Sequence, residues 1–163
     1  VDIMTENPER VINKDVLIID IGFNTLDYLL MSREGEKIKG DTIEKIGIVT
    51  AVEIFRSLIP ESYSHIANYS TSRLIEIFEK GIFNYQGREL NFTPFKTKAI
   101  ERYSDLILSR LKDEIGNLVE EIDSIILVGG GAYYVNLNLP VYIPKEPEFS
   151  NARGFYKSMV EEL

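Results

Sequence analysis

Two carboxylates flank a short polar turn near the start of the chain. Asp20 ends an apolar run that begins at Val16, and Asp27 follows Thr25 at the start of a second apolar run. The first run is rich in β-branched residues and too short for a helix, so the two runs predict a tight β-hairpin. Gly22 permits a positive φ and close approach to the backbone. The N–H groups of the turn could then cradle a phosphate, with Asp20 holding a hydrated divalent cation beside it.

A second candidate binding element lies more than halfway along the chain. The apolar run Ser124–Val128 leads directly into the three glycines Gly129–Gly131. A strand that enters a glycine turn is typical of a ligand-binding edge at the carboxyl end of a sheet. The hairpin taken alone also has a plainer interpretation, in which Asp20 and Asn24 only satisfy the turn. On that segment the two interpretations stay open.

Composition excludes several classes of protein. The 163 residues allow one domain with a sizeable core and a small insertion. The formal charge of −8 disfavours direct nucleic-acid binding, which needs a basic face. The chain has no cysteine, which excludes disulfides and thiolate metal sites. No apolar run approaches a membrane span and no signal peptide is evident, so we expect a cytoplasmic protein with no membrane partner.

The hydrophobic pattern predicts the elements that position these motifs. A possible strand at 1–4 and a turn at 7–10 precede the hairpin, and the first residue, Val1, suggests a chain cut from a longer one. The later elements are a strand at 37–39, a helix at 48–58 ended by Pro60, a helix at 73–80 ended by Gly81, two short strands within 83–90, a long helix from Thr93, a strand at 140–144 and a final helix from Ser150 or Asn151. The long helix carries an apolar stripe at Ile100, Tyr103, Ile107, Leu111, Ile115 and Leu118. This order predicts an α/β fold with a mixed sheet and helices on both faces.

Three separated motifs resemble one superfamily. The segment Ile19–Asp27 resembles the second phosphate-binding hairpin of the actin, sugar-kinase and heat-shock-chaperone superfamily, which has a ribonuclease H-like fold. The segment Ile126–Ala132 resembles its adenosine motif, and Asn151–Tyr156 resembles the final helix of the plasmid-segregation and archaeal actin branch. The match covers essentially the whole chain, and residues 61–98 are its least recognisable part. Phe23 and Asn24 are bulkier than the residues that many relatives have at the turn.

The resemblance implies a role for individual residues of this sequence. It implies ATP, or GTP, as the nucleotide, bound with Mg²⁺. The residues facing the β- and γ-phosphates would be Gly22, Phe23, Asn24 and Thr25. The residues lying against the adenosine would be Gly129, Gly130, Gly131, Ala132 and Tyr133. Asp20 and Asp27 would be the catalytic pair, with Asp20 reaching the metal through water or lying near the attacking water.

The resemblance also implies that the site is shared with a second domain. The superfamily builds its ATP site between two domains that each offer a phosphate hairpin, and this sequence holds a single Asp-x-Gly hairpin. We therefore expect the C-terminal half of an actin-like ATPase, separated from its N-terminal partner domain. Residues 1–59 and 99–163 would form the core subdomain and 60–98 a small inserted one. The full-length parent would be an ATPase, whereas this half alone would be nearly inactive.

The leading functional hypothesis is an ATP-dependent, filament-forming, actin-like protein in plasmid or DNA segregation or in the cytoskeleton. Its partners would be further copies of itself and an adaptor, because the acidic surface keeps DNA from binding directly. A small-molecule kinase or a scaffold of the same superfamily is an alternative. A ribonuclease H-type nuclease, with Asp20 and Asp27 holding two metals, is opposed by the acidic surface and the triple glycine. A non-hydrolysing interaction domain that only inherited the fold also remains open.

Overall fold

The computed structural model describes residues 6–161 as an α/β fold with a mixed five-stranded sheet and a separate two-stranded hairpin. The strands are β1 (Val16–Ile21), β2 (Thr25–Met31), β3 (Lys37–Glu44), β4 (Ile82–Tyr85), β5 (Arg88–Asn91), β6 (Ser124–Val128) and β7 (Val141–Tyr142). The helices are α1 (Ile48–Leu58), α2 (Ser64–Ala67), α3 (Thr71–Lys80), α4 (Thr93–Ile115), α5 (Leu118–Glu121) and α6 (Ser150–Glu161). The strand expected at 1–4 lies outside the described residues.

The order of strands brings the two candidate binding elements together. The main sheet has the order β3-β2-β1-β6-β7, in which β1–β2 and β2–β3 are antiparallel. The β1–β6 and β6–β7 pairs are parallel, so the predicted mixed sheet is confirmed. Because β1 and β6 run in the same direction and Asp20 pairs with Val128, both strands end at the same edge. The glycine turn after β6 therefore lies beside the polar turn after β1.

The two faces of the sheet differ in how much apolar surface they bury. In β1 the side chains of Leu17, Ile19 and Ile21 enter the main core, which also contains Phe55 of α1 and Tyr103 of α4. The alternate side chains of the central strands enter a smaller cluster on the other face. The first turn of α6 contacts this second face, so helices flank the sheet on both sides.

The third strand is longer than predicted. It runs to Glu44, whereas the sequence predicted a strand at 37–39 that led into the next helix. Most of its residues are exposed on both faces of the strand, so they carry little hydrophobic alternation. Pairing with β2 extends it instead, through a register that places Thr42 opposite Asp27 and Glu44 opposite Thr25. An edge strand held by backbone pairing gives a weak sequence signal.

The long helix confirms most of the predicted apolar stripe. Tyr103, Ile107, Leu111 and Ile115 are buried in the main core. Gly116 then ends the helix with a φ of 65°. The assignment of Leu118 to the stripe is wrong: this residue begins the separate helix α5 and is 47% exposed. A left-handed backbone at Gly116 interrupts the helical spacing that the sequence pattern assumed.

Residues 60–98 pack around a cluster of aromatic rings. The ring centroid of Phe92 lies 5.2 Å from that of Phe83 and 5.5 Å from that of Tyr63, and both pairs have edge-to-face geometry. Phe92 also contacts Phe55 of α1, so this cluster is continuous with the main core. Tyr63 and Phe83 are partly buried and pack against the main core. His65 is exposed.

Candidate nucleotide site

Asp20 and Asp27 are neighbours across the β1–β2 hairpin. They lie directly opposite each other in the register, and their side chains project from the face opposite the main core. Facing side chains in an antiparallel pair have Cβ atoms about 4.5–5.5 Å apart. Asp20 is half-buried and Asp27 is exposed. The structure therefore presents two carboxylates side by side, next to the polar turn.

The turn of the hairpin is fixed to the start of α1 through its carbonyl groups. The three bonds run from Ile48 N to Gly22 O (3.0 Å), from Val49 N to Phe23 O (3.1 Å) and from Ile46 N to Asn24 O (3.1 Å). The bonds from Ile48 and Val49 satisfy backbone N–H groups that a helix start otherwise leaves without partners. Gly47 is required at this contact, because a Cβ there would lie 2.4 Å from Phe23 O. The backbone of α1 thus holds the turn in one conformation.

With its carbonyls engaged, the turn still has backbone donors without an acceptor. Within residues 6–161, the N–H groups of Phe23 and Asn24 donate to no acceptor, and both residues are exposed. Gly22 differs, because its N–H closes the turn by donating to Thr25 O at 2.9 Å. The sequence predicted an anion cradle formed by the N–H groups from Gly22 to Thr25, and the N–H of Gly22 is not free to take part in one. Two consecutive free N–H groups form the kind of concavity that binds phosphate oxygens.

A buried tyrosine anchors this arrangement from below. The hydroxyl of Tyr103 donates to Ile46 O at 2.7 Å, and Ile46 N in turn donates to Asn24 O. Tyr103 is fully buried, and burial raises the pKa of its hydroxyl well above the usual range. The tyrosine therefore stays neutral and keeps its proton for this hydrogen bond. The longest helix positions the turn through this chain of bonds.

The glycine turn packs on the end of β1. Gly129 has a φ of 82°, and a Cβ there would lie 2.2 Å from Asp20 Oδ1. A Cβ on Gly131 would lie 2.1 Å from Ile21 Cγ2. These two glycines are thus required by contacts within the protein. Gly130 is different: a Cβ there would meet only Ile48 Cδ1, at an ordinary 3.8 Å.

The residues that follow Gly130 divide between core and surface. Ala132 is fully buried, which makes it part of the support of the turn. Tyr133 is 58% exposed and donates to Glu148 Oε2 at 3.1 Å. Burial, with a further contribution from this hydrogen bond, raises the pKa of Tyr133. Of the five residues expected beside an adenosine, Gly130 and Tyr133 have the most open surroundings.

Two residues that the sequence analysis did not assign to the site complete the surroundings of the carboxylates. Asn151 Nδ2, in the first turn of α6, donates to Asp20 Oδ2 at 2.6 Å. The hydroxyl of Thr42 donates to Asp27 Oδ1. A predicted third strand that ran to Glu44, and not only to Lys39, would have placed Thr42 opposite Asp27. No local signal predicts the contact of Asn151, which is 131 residues from Asp20.

The two carboxylates suit a cation that is coordinated mainly by water and phosphate oxygens. Among the described residues, no group of three or more His, Cys, Asp or Glu side chains could hold a metal ion by itself. Mg²⁺ in phosphate-binding sites is commonly held by one or two carboxylates, with phosphate oxygens and water completing its octahedron. Asp20 and Asp27, which lie side by side next to the polar turn, fit that requirement.

Comparison with protein families identifies the fold's lineage. The family model described as archaeal actin homologue MreB-like, C-terminal, matches residues 18–140. The chain belongs to this MreB-like family of archaeal actin homologues. A search of curated proteins gives no match. The matched segment of the MreB-like domain contains the hairpin, α1, α4 and the glycine turn, and it stops before Asn151.

Solved structures show the same actin-like fold. The archaeal actin homologue Ta0583 matches with a TM-score of 0.80 and 16% identity over 99% of this chain and 52% of its own. The ParM of a 15-stranded filament from Clostridium botulinum matches with 0.75 and 20%, over 95% and 48%. Bacillus thuringiensis ParM with ATP matches with 0.64 and 18%, over 91% and 47%. The MreB-like chain therefore spans about half the length of these proteins.

A helix that crosses a membrane must be both long and apolar. Within residues 6–161 the structure has no helix that combines the length and apolar character of a membrane span. The longest helix, α4, has 23 residues, but it carries charged side chains on its exposed faces.

Proposed function

We propose that this chain is the nucleotide-binding half of an actin-like, filament-forming ATPase that uses ATP or GTP with Mg²⁺. The observation that carries the proposal is the position of two backbone N–H groups that have no acceptor among the described residues. These groups belong to Phe23 and Asn24, in the turn between the strand that carries Asp20 and the strand that carries Asp27. Backbone donors and paired carboxylates are what a phosphate–magnesium group needs from a protein surface.

The phosphate side of the site would be formed by the turn after β1. The N–H groups of Phe23 and Asn24 would donate to phosphate oxygens, and the rigid link to α1 means that no reorganisation is needed on binding. Thr25 is half-buried at the start of β2, where its hydroxyl lies beside Gly22. We assign it a supporting position in the cradle. Gly22 has its own N–H engaged by Thr25 O. The positive φ expected for this glycine is not observed, and a Cβ there would meet only Thr25, at ordinary distances of 3.5 and 3.6 Å.

Asp20 and Asp27 would hold the hydrated cation. When bound, Mg²⁺ would offset the charge of the phosphates and of the two carboxylates, which otherwise repel one another. Asp20 would act on the metal through water or orient the attacking water, and Asp27 would orient metal-bound waters. Thr42, which donates to Asp27, would fix that carboxylate. These roles use carboxylates that already lie on one face in one row of the sheet.

The nucleoside side would be formed by the glycine turn after β6. The open surface over Gly130 permits a flat base or ribose to approach the backbone. The exposed ring of Tyr133 would border it, while Gly129, Gly131 and Ala132 support the turn from beneath. The ADP complex of Ta0583 and the ATP complex of Bacillus thuringiensis ParM are structures of similar proteins with nucleotides.

The remaining parts of the proposal concern the whole protein. Because the chain spans about half of ParM and Ta0583, a partner N-terminal domain would supply the other half of the site. Residues 1–59 and 99–163 would form the core subdomain, and 60–98 the inserted one. Self-association would follow the filament of Clostridium botulinum ParM, with an adaptor carrying any DNA cargo. The charge of −8 supports indirect contact with DNA.

The proposal is tested on the full-length protein by nucleotide turnover and light scattering. With Mg-ATP or Mg-GTP we expect phosphate release and a rise in scattering, both lost without Mg²⁺. Asp20→Asn should lower turnover by at least about 100-fold, since it removes a group that acts on the metal or the water. Asp105→Asn on the exposed face of α4 is the matched control and should behave as wild type.

The alternatives predict different results in the same experiment. A non-hydrolysing interaction domain would show neither phosphate release nor any effect of Asp20→Asn. A small-molecule kinase would consume nucleotide only with an added acceptor and would not scatter light. Absence of nucleotide binding in the full-length protein, with the fold intact by circular dichroism, would contradict the proposal.

A further inference from the structure

The contact between Asn151 and Asp20 joins the final helix to the phosphate hairpin. Asn151 Nδ2 donates to Asp20 Oδ2 at 2.6 Å across a sequence separation of 131 residues. A carboxylate can only accept hydrogen bonds, and the amide nitrogen is the atom of Asn151 that faces it. Hydrogen bonds to a charged group are stronger than neutral ones.

The carboxylate is restricted on its other side as well. Gly129 lies against Asp20 Oδ1 so closely that a Cβ there would come within 2.2 Å of this oxygen. The glycine turn therefore limits the rotation of Asp20 on one side, and Asn151 holds the opposite oxygen. With both oxygens confined, the carboxylate has a single orientation relative to the turn at Phe23 and Asn24.

The position of Asn151 is itself fixed by the segment before α6. Gly129 N donates to Pro147 O at 3.0 Å, which ties this segment to the glycine turn. The guanidinium of Arg153 donates to Lys145 O at 2.7 Å and to Glu146 O at 3.2 Å. The first turn of α6, the segment 145–149 and the glycine turn thus form one connected unit. A displacement of α6 would move the amide away from Asp20.

We propose that Asn151 is a positioning residue, which sets the orientation of the Asp20 carboxylate and makes that orientation depend on the placement of α6. The proposal rests on the function proposed above, because it concerns the same carboxylate. Asn151 lies outside residues 18–140, the segment that the family model matches. The hydrogen bond also gives the final helix an influence on the proposed phosphate site through Asp20.

The first test measures the contact without nucleotide. Asp20→Ala, Asn151→Ala and the double variant of the full-length protein are unfolded in urea. If the side chains interact, the change in the unfolding constant of the double variant should differ from the product of the single changes by roughly tenfold. The exchanged pair, Asp20→Asn with Asn151→Asp, should recover most of the stability because donor and acceptor are only reversed. A deviation of less than twofold would overturn the proposal.

The second test separates positioning from helix formation. Asn151→Asp has the same shape and starts a helix equally well, but it cannot donate to a carboxylate. We expect kcat to fall by about 10- to 100-fold, as for other outer-shell partners, while KM changes less because the N–H groups of Phe23 and Asn24 remain. The exchanged pair should stay inactive although it is stable. Asn117→Ala, an exposed asparagine whose side chain caps no helix, is the control.

The two proposals fail in distinguishable ways. If the wild-type protein turns over nucleotide and Asn151→Asp matches it in kcat, the positioning role is overturned and the proposed function stands. If the wild-type protein neither binds nor hydrolyses nucleotide, the proposed function fails and the positioning role with it. Non-additive unfolding together with a selective loss of kcat supports both.

Discussion

The hydroxyl of Tyr103 donates a 2.7 Å hydrogen bond to the carbonyl of Ile46, inside the core of the protein. Ile46 also donates its own N–H to Asn24 O, so one residue links the longest helix to the β1–β2 hairpin. The turn is therefore supported by the core, and a core mutation that does not contact a ligand can change the conformation of the turn. The first prediction follows from this link.

Tyr103→Phe should destabilise the protein and loosen the turn. Removing the hydroxyl leaves Ile46 O buried without its partner, which costs about 1–3 kcal/mol in the free energy of unfolding. Urea unfolding followed by circular dichroism measures the change. Tyr85→Phe, at a half-buried tyrosine of β4, is the control and should cost less than about 0.5 kcal/mol. Equal stabilities of the two variants would contradict the role of Tyr103.

Alanine substitution of the neighbouring glycines Gly129 and Gly130 should affect different properties: stability at Gly129 and nucleotide binding at Gly130. Gly129→Ala puts a Cβ against Asp20 and Ile21 at a φ of 82°, so we expect a loss of more than about 2 kcal/mol in the free energy of unfolding. Gly130→Ala should change stability by less than about 1 kcal/mol, because the space is open, and yet weaken nucleotide binding. Thermal unfolding and nucleotide titration measure the two effects. Normal nucleotide affinity in Gly130→Ala would remove this glycine from the nucleoside site.

The sequence predicted those parts of the site whose signals are local. The alternation around Asp20, the turn at Gly22 and the strand leading into Gly129 each lie within a few residues, so their pattern survives without tertiary information. The sequence could not show that Gly129 and Gly131 are needed for packing on β1, because that depends on the β1–β6 pairing. Nor could it predict the contact of Asn151, for which no periodicity exists over 131 residues. The full length of β3 was missed because its exposed residues carry no apolar alternation.

Thr42 should affect the cation rather than the fold. Thr42→Val removes the hydroxyl that donates to Asp27 but keeps the side-chain shape. On an edge strand we expect a change of less than about 0.5 kcal/mol in stability. The Mg²⁺ concentration needed for half-maximal nucleotide binding should rise by about tenfold, since outer-shell partners orient the carboxylates. Thr42→Ser keeps the donor and should stay close to wild type; equal Mg²⁺ requirements for both variants would contradict this role.

Asp123 should contribute stability that is lost in acid. The backbone N–H of Asp15, at 2.9 Å, and then Arg33, at 3.2 Å, hold the pKa of this carboxyl below its usual value. A lowered folded-state pKa gives stability above the unfolded pKa of about 3.9, which is lost as the pH falls through the folded value. Asp123→Asn should therefore be less stable than wild type at pH 7, with a difference that shrinks below about pH 4.

The melting temperatures of wild type and Asp123→Asn between pH 3 and 7 measure that difference, with Asp105→Asn as the control for the loss of one negative charge. The control should show little difference from wild type across the range, because Asp105 lies exposed on α4. A difference in melting temperature between wild type and Asp123→Asn that widens toward acid pH would contradict a lowered pKa of Asp123.

The most direct test of the account observes the amides of Phe23 and Asn24 by nuclear magnetic resonance in the labelled full-length protein. Their N–H groups have no acceptor among the described residues, so bound phosphate should shift both resonances strongly when Mg-ATP or Mg-GTP is added. The amide of Gly22, already bonded to Thr25 O, should shift less. Strong shifts at Phe23 and Asn24 that disappear in Asp20→Asn are the predicted result. Nucleotide binding that leaves both amides unchanged would contradict the phosphate site.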